Sequence, residues 1–204
     1  MTADLSEQTV VEETPKRTHW LRETAVVVMV ALVAALLLRT FVVQTFFIPS
    51  GSMEPTLNIG DRILVNKLSY HLHSVDRGNI VVFRRPANEN CGGEPVADLV
   101  KRVVGLPGET ISLTKGSKSY VMINGKRLDE TWLPSSVQGK SFPGPPGPTY
   151  SLAKPYVIPA NHYFVMGDNR NNSCDSRYWG PIPRSLIVGK VDMRVWPIGS
   201  LRIF

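Results

Sequence analysis

An uncharged apolar run near the N-terminus constrains the fold more than any other feature of the sequence. Residues 24–38 read TAVVVMVALVAALLL, fifteen residues without a charge. As a helix this run would cover roughly 22 Å, and the apolar residues 20–21 and 41–43 could extend it towards the thickness of a bilayer. No small residues that would mark the cleavage site of a secretory leader follow the run. An uncleaved anchor is therefore favoured over a cleavable signal peptide.

Charge and polarity around this run predict a topology and three regions. Lys16, Arg17 and Arg22 precede the run and Arg39 follows it, which modestly supports a cytoplasmic N-terminus by the positive-inside rule. We predict a polar cytoplasmic tail over residues 1–23, a transmembrane anchor over residues 24–43, and an extracytoplasmic domain over residues 44–204. The chain would then cross the plasma membrane once.

Beyond residue 46 the pattern changes to short β-branched and aromatic runs that are broken by Gly, Pro and Asn. This pattern is typical of strands. The predicted strands are residues 62–65, 80–84, 99–104, 110–113, 120–123, 162–166 and 186–195. Asn124-Gly125 predicts a tight hairpin that returns through residues 126–128. Residues 139–148 (GKSFPGPPGP) are too rich in Pro and Gly for regular structure and predict a surface loop.

Composition argues against nucleic acid, metals and cofactors. The formal net charge is +6, but the basic residues are dispersed rather than gathered into a stripe, so an anionic lipid surface fits better than nucleic acid. The four histidines are scattered, and Cys91 and Cys174 form no CxxC motif. We expect chemistry without a metal or a cofactor.

Residues 48–57 (IPSGSMEPTL) form the first segment with chemical potential. Two prolines bracket Ser50, Gly51 and Ser52 and restrict the backbone to an irregular turn. Such a turn can present a hydroxyl and a backbone N–H at one point, as a nucleophile with an oxyanion hole requires. A serine-rich linker between anchor and domain explains the same residues equally well.

Two later segments also allow both a catalytic and a purely structural interpretation when each is taken alone. Lys101 lies in an apolar strand run next to Arg102, and strand alternation would send one of the two cations to the buried face and the other to solvent. A buried lysine has a lowered pKa and can act as a base, but the pattern does not decide which cation is buried. Residues 166–180 (MGDNRNNSCDSRYWG) are either a solvated loop or a rigid network that orients a catalytic group.

Taken together, these segments resemble the bacterial type I signal peptidases, membrane serine endopeptidases with a Ser/Lys dyad. The resemblance rests on the anchor and on PSGSMEPTL, DRGNIVVF, LVKRVVGLPGE and GDNRNNSCDSRYWG, in that order. It implies a mainly β, antiparallel-sheet catalytic domain after one N-terminal transmembrane helix. It also implies removal of signal peptides from exported preproteins after Ala-X-Ala-like sites. The partners would be preproteins and the lipid bilayer, and the chain would act as a monomer.

The resemblance also implies roles for individual residues. Ser52 matches the nucleophile and Lys101 the general base, while the Ser50 hydroxyl and the Ser52 N–H match the oxyanion hole. Ser173 matches the serine that orients the lysine. The other supporting residues match the polar loop, with an ion pair between the last two: Gly167, Asp168, Asp175 and Arg177. The small substrate pockets would be lined by Phe46, Ile48, Met53, Val82, Leu99 and Val100.

Two residues depart from the family pattern. Asn79 stands where an Asp is usual, and we expect a structural consequence rather than a catalytic one. Cys174 occupies a small-residue position beside Ser173; it could pair with Cys91, but the sequence does not show whether the two are close. Residues 109–160 match the family's variable second subdomain, which is short here and would hold the hairpin and the Pro/Gly loop.

Two other functions fit part of the same sequence. A self-cleaving repressor-type protease shares the Ser/Lys dyad, but it would carry a DNA-binding domain in place of the apolar run, and none is visible. A non-catalytic, membrane-anchored β module of the secretion machinery would leave four residues without a role: Ser50, Ser52, Lys101 and Ser173. A protease is therefore favoured.

Overall fold

The computed structural model describes residues 17–89, 91–92, 96–114, 118–140 and 152–204. Most of the loop predicted over residues 139–148, and the predicted tail up to residue 16, lie outside these ranges. The chain divides into two compact units, Met1–Arg39 and Thr40–Phe204.

The first unit contains most of a single helix, α1, which runs from Arg17 to Phe41 and contains the uncharged run. Large apolar side chains along it are exposed, among them Val27, Met29 and Leu36, each more than 60 % exposed. Within the described residues, no helix combines the length and the apolar character that crossing a membrane requires.

The second unit is built almost entirely from strands. Within the described residues these are β1 (Val43–Phe47), β2 (Arg62–Asn66), β3 (Ile80–Arg84), β4 (Asp98–Gly105), β5 (Thr110–Leu113), β6 (Val121–Ile123), β7 (Lys126–Arg127), β8 (Tyr156–Val157), β9 (His162–Met166), β10 (Ile182–Pro183), β11 (Ile187–Trp196) and β12 (Arg202–Ile203). Two one-turn helices, α2 (Ser69–Leu72) and α3 (Ser176–Trp179), join them.

The strands form two antiparallel sheets. The larger has the order β1-β2-β11-β3-β4-β9-β10, with β12 paired to β11, and the smaller has the order β7-β6-β5-β8. The predicted mainly β, antiparallel domain is thus confirmed, and each predicted strand corresponds to an observed one. The hairpin is also present: Asn124 and Gly125 have φ values of 52° and 77°, as a tight two-residue turn between twisted strands requires.

Four strands were not predicted: the two-residue strands β8, β10 and β12, and the longer β1. Val43, which we expected to extend the helix, instead begins β1, two residues after α1 ends at Phe41. β1 pairs with β2 along its whole length, from Val43 opposite Asn66 to Phe47 opposite Arg62. Its β-branched and aromatic residues suit a half-buried edge strand. The same residues could also extend an apolar helix, and the pairing with β2 makes them a strand.

One of the three hydrophobic clusters formed by the described residues lies under the segment that follows β1. It contains eight buried residues: Ile48, Met53, Leu57, Ile63, Val65, Ile80, Val82 and Val191. Met53 and Leu57 are 1 % and 0 % exposed. Burying each such side chain contributes roughly 1.5–3 kcal/mol, so the turn that contains Ser52 is fastened to the sheet beside it.

Candidate active site

The serine segment forms a short, well-anchored turn at the end of β1. Gly51–Met53 is a single turn of 3-10 helix, closed by the Glu54 N–H, which donates to the Gly51 carbonyl at 3.1 Å. Ser52 is partly exposed on this turn, and its Oγ lies 3.5 Å from the Oγ of the exposed Ser50. The two serines are therefore presented at the surface while the buried Met53 holds the turn in place.

Lys101 lies on β4 of the larger sheet, and its side chain reaches this turn. Its Nζ is 2.7 Å from Ser52 Oγ and 3.1 Å from the Val100 carbonyl oxygen. Lys101 is only 4 % exposed. The question that the strand pattern left open is thus answered: Lys101 is buried, with its amine against the Ser52 hydroxyl.

Burial makes this amine easier to deprotonate. Loss of solvation lowers the pKa of Lys101 from 10.5 to about 8. The nearby carboxylates Asp175 and Glu89 oppose this effect, and the Arg177 guanidinium adds to it. The net result is an amine that is partly neutral near physiological pH and can therefore accept a proton from a hydroxyl.

The neighbouring Arg102 corrects one expectation. Alternation predicted that one of the two cations would face solvent, but Arg102 is also only 4 % exposed, so this prediction is wrong. Its guanidinium donates to both Asp168 carboxylate oxygens, at 2.8 and 2.6 Å, and to the Gly78 carbonyl at 2.6 Å. The Trp132 ring lies 5.7 Å away. Both faces of β4 are covered, and Arg102 is buried as an ion pair.

The polar loop after β9 is held by a second buried ion pair. Arg177 contacts Asp175 at 2.8 Å and also donates to the carbonyls of Arg170 and Ser173, at 2.8 and 3.3 Å. Burial alone would raise the pKa of Asp175, but Arg177 and the Gly167 N–H hold it below its ordinary value. The predicted pairing of Asp175 with Arg177 is present, and it fixes the loop as a charged network rather than as a solvated segment.

Ser173 lies in this network but does not make the contact expected of it. It is 4 % exposed, and its Oγ has no hydrogen-bond partner among the described residues, Lys101 included. The hydroxyl instead packs against Gly167. The predicted orienting hydrogen bond from Ser173 to Lys101 is absent from the described structure.

Gly167 allows the loop and the nucleophile turn to approach closely. A Cβ at this position would collide with Ser173 Oγ and with the main-chain oxygen of Ser52. Only glycine leaves room for this contact, whatever its backbone conformation. The supporting role expected for Gly167 thus has a steric basis.

A small cavity lies beside the Ser52 and Lys101 side chains. Its volume is about 50 Å³, room for about four water molecules. Five of the six expected pocket residues line it: Phe46, Ile48, Met53, Leu99 and Val100. The sixth, Val82, does not line it but lies fully buried on β3, in the cluster under the turn.

A larger groove of about 510 Å³ continues from Ser52, and a disulfide forms part of its wall. Cys91 and Cys174 are joined, which answers a question that the sequence left open. Glu89 lies beside the disulfide in the same groove, and its carboxylate accepts a hydrogen bond from the Cys91 N–H at 3.0 Å. These three residues have ligand atoms within 4.8 Å of one another. Because the two sulfurs are bonded together, they are not available as metal-binding thiolates.

Comparison with known proteins decides the family. The sequence model described as "Signal peptidase, peptidase S26" matches residues 21–196. The chain belongs to this signal peptidase family. It is a serine endopeptidase. Signal peptidase I of Leptolyngbya laminosa is 40 % identical over 189 residues, which is 92 % of this chain and 85 % of that protein.

Other signal peptidases are similar over comparable lengths. Probable signal peptidase I-2 of Synechocystis sp. is 39 % identical over 187 residues, 92 % of this chain and 78 % of that one. Signal peptidase I of Pseudomonas aeruginosa is 38 % identical, with 81 % and 68 % of the two chains covered. A crystal structure of signal peptidase I from Enterococcus faecalis V583 aligns with a TM-score of 0.40 at 26 % identity, covering 58 % of this chain and 97 % of that one.

Sequence reasoning missed several residues that brace the site of this signal peptidase. Glu130 and Arg170 form a buried ion pair, and Arg170 also donates to the Gly167 carbonyl at 3.0 Å. Asn169 contacts the nucleophile turn directly. The many polar residues after Met166 indicated a hydrogen-bonded network, but they did not indicate which residues each of them contacts. No pattern distinguished Glu130, which lies in the segment assigned to the variable subdomain.

Asn79 has a structural role, as its departure from the family pattern suggested. Its Oδ1 accepts hydrogen bonds from the Tyr70 hydroxyl at 3.0 Å and from the Asp76 N–H at 3.1 Å. Its main-chain oxygen accepts the Val103 N–H at 2.9 Å. These bonds close the turn before β3 and join it to β4.

Proposed function

We propose that this signal peptidase removes N-terminal signal peptides from exported preproteins, with Ser52 as nucleophile and Lys101 as general base. The observation that carries the proposal is the 2.7 Å separation between Lys101 Nζ and Ser52 Oγ, together with the burial of the lysine. A nucleophile and a base within hydrogen-bonding reach form the minimal unit of covalent catalysis by a hydroxyl.

Acylation follows from this pair. Neutral Lys101 takes the Ser52 proton as Oγ attacks the scissile carbonyl, and the carbonyl oxygen becomes an oxyanion. The Ser52 N–H and the Ser50 hydroxyl stabilise that charge, each donor contributing about 3 kcal/mol. Lys101 then gives its proton to the leaving amine as the C–N bond breaks, which leaves the signal peptide as an ester on Ser52.

Deacylation repeats the same transfers with water as the nucleophile. Lys101 accepts a proton from the attacking water, and the oxyanion forms again at the same donors. When the ester bond breaks, Lys101 returns the proton to Ser52 Oγ, and the signal peptide leaves with a free carboxylate. The polar loop after β9 holds the turn that contains Ser52 in place, and it is itself stabilised by the buried charges of Asp168, Asp175 and Arg177.

Specificity for small side chains follows from the cavity beside Ser52. Its volume of about 50 Å³ and its apolar residues, such as Ile48 and Leu99, suit a methyl group. A large side chain would have to displace residues that pack against the core, which is costly in a close-packed interior. We therefore propose cleavage after Ala-X-Ala-like sites.

We further propose that the apolar part of α1, residues 24–41, anchors the enzyme in the plasma membrane, with residues 1–23 cytoplasmic and the catalytic domain, which begins with β1 at Val43, outside. The uncharged run and the exposed apolar side chains of α1 support the anchor. Phe47, Trp196 and Ile198 are also exposed, by 59, 49 and 69 %, and would suit a lipid surface. The sheet formed by β5–β8 supports a second subdomain over residues 109–160, and we expect the enzyme to act as a monomer.

Replacement of each dyad member tests the chemistry. Ser52→Ala and Lys101→Ala should abolish cleavage of a preprotein by the full chain in detergent, while both variants keep the wild-type circular dichroism spectrum. The matched controls are Ser136→Ala and Lys154→Ala, at exposed positions outside the site, and these should cleave at the wild-type rate. Wild-type cleavage by Lys101→Ala would refute the dyad.

Topology needs its own experiment. Protease added to intact cells should degrade the domain after residue 44 and leave residues 1–20 protected. Protection of the C-terminal domain together with loss of the tail would reverse the proposed orientation.

A further inference from the structure

Asn169 ties the polar loop to the nucleophile turn through two hydrogen bonds. Its main-chain N–H donates to the Ser52 carbonyl at 3.1 Å, and its side-chain Nδ2 donates to the Gly51 carbonyl at 3.0 Å. The Gly51 carbonyl also accepts the Glu54 N–H at 3.1 Å, so both of its lone pairs are used. Two consecutive carbonyls of the turn are thus held by one residue from outside it.

The Gly51 carbonyl belongs to the same peptide unit as the Ser52 N–H. A trans peptide unit is planar, so its C=O and N–H point in opposite directions. Holding the carbonyl oxygen on one side therefore fixes the direction of the N–H on the other. Gly51 has no side chain to restrict its backbone, so this peptide plane could otherwise rotate more freely than its neighbours.

Asn169 is itself rigidly placed. The residue before it, Asp168, is fully buried and bound by Arg102, and the residue after it, Arg170, is 1 % exposed and bound by Glu130. A donor fixed between two buried ion pairs can restrain the group that it contacts instead of following its motion.

We propose that Asn169 is a positioning residue for the oxyanion hole, which aims the Ser52 N–H by holding the Gly51 carbonyl. This inference rests on the proposed function, in which the Ser52 N–H stabilises the oxyanion. The side-chain bond also polarises the peptide unit and makes its N–H a stronger donor. The effect falls on the transition state, because a substrate carbonyl carries much less negative charge than the oxyanion.

The test is steady-state cleavage of a peptide with an Ala-X-Ala junction by the full chain in detergent. Asn169→Ala removes the side-chain donor but keeps the main-chain one. We expect kcat to fall about tenfold, the effect of losing one hydrogen bond, with KM within about twofold of wild type. Asn169→Asp keeps the size of the side chain but places a carboxylate oxygen against the Gly51 carbonyl, so its kcat should fall further. Asn171→Ala, at an exposed position in the same loop, is the control and should match wild type.

Two further measurements separate this role from a merely structural one. The acid limb of the pH–rate profile of Asn169→Ala should keep the wild-type midpoint, since Asn169 is neutral and acts on the oxyanion donor rather than on Lys101. Thermal unfolding should show both variants folded at the assay temperature, and Asn169→Asp supplies the comparison if Asn169→Ala is not folded. Wild-type kcat in either folded variant, or a raised KM with unchanged kcat, overturns the proposal. Activity retained by Ser52→Ala would instead refute the proposed function itself.

Discussion

The acidity of Lys101 gives the sharpest quantitative prediction. With a pKa of about 8, roughly one-tenth of the amine is neutral at pH 7, whereas an ordinary lysine would be neutral in about three molecules in ten thousand. Burial of this one side chain therefore raises the amount of active base by roughly 300-fold at neutral pH. The shift corresponds to about 3 kcal/mol of selective destabilisation of the charged form.

A pH–rate profile measures this directly. We expect kcat/KM for an Ala-X-Ala peptide to rise tenfold per pH unit on the acid side and to level off near pH 8, because only the neutral amine can accept the Ser52 proton. An acid limb with its midpoint near 10.5, the value of an exposed lysine, would refute the argument from burial. So would a rate that is independent of pH between about 6 and 10.

The same shift makes stability depend on pH, with a definite sign. Since the folded-state pKa of Lys101 lies below its unfolded value, the unfolded chain binds more protons between about pH 8 and 10.5. The free energy of unfolding should therefore rise with pH across this window and stay level below about pH 8, where the amine is protonated in both the folded and the unfolded chain. Relative to Lys101→Met, which lacks the titrating group, the gain should total about 3 kcal/mol by chemical denaturation. A difference between the two proteins that stays constant with pH would contradict the assignment.

Three further variants probe the support of the site. Asp175→Asn should lower the free energy of unfolding by about 3–5 kcal/mol because it leaves Arg177 buried without its charge partner; a loss below about 1 kcal/mol in urea denaturation would show that the pair is dispensable. Replacing Cys91 and Cys174 by serine opens a link between residues 83 positions apart, which should cost about 2–4.5 kcal/mol, and an unchanged melting temperature would contradict this. Gly167→Ala should reduce kcat at least about tenfold by pushing the nucleophile turn away, and full activity would show that the contact can relax.

Strand positions were predictable because the short β-branched runs are broken by strong turn residues. Asn124-Gly125 fixed the hairpin through its backbone preference alone. β1 was missed because its residues follow directly on an apolar run, and only the pairing with β2 distinguishes an edge strand from a longer helix. Local pattern is informative where one periodicity dominates, and it fails where two structures suit the same residues.

The sequence predicts which segments meet at the site. It does not predict which of their charged side chains are buried or which ion pairs they form. Alternation placed one cation of the Lys101–Arg102 pair in solvent because it treats a sheet as having one wet face. Here Asp168 covers the second face and turns Arg102 into a buried ion pair. The partner of Glu130 and the target of Asn169 depend on contacts across long stretches of sequence, and no local pattern encodes them.

The pairing of β3 with β4, which sets Val81 opposite Lys101, has a consequence beyond sheet stability. A slip of one residue along this ladder would exchange the two faces of β4 and bring Arg102 to the serine in place of Lys101. A guanidinium does not give up its proton at any physiological pH. In the slipped chain the group beside the Ser52 hydroxyl would therefore stay positively charged and could not accept its proton. The alignment of two strands thus selects which of two adjacent positive charges can become a base.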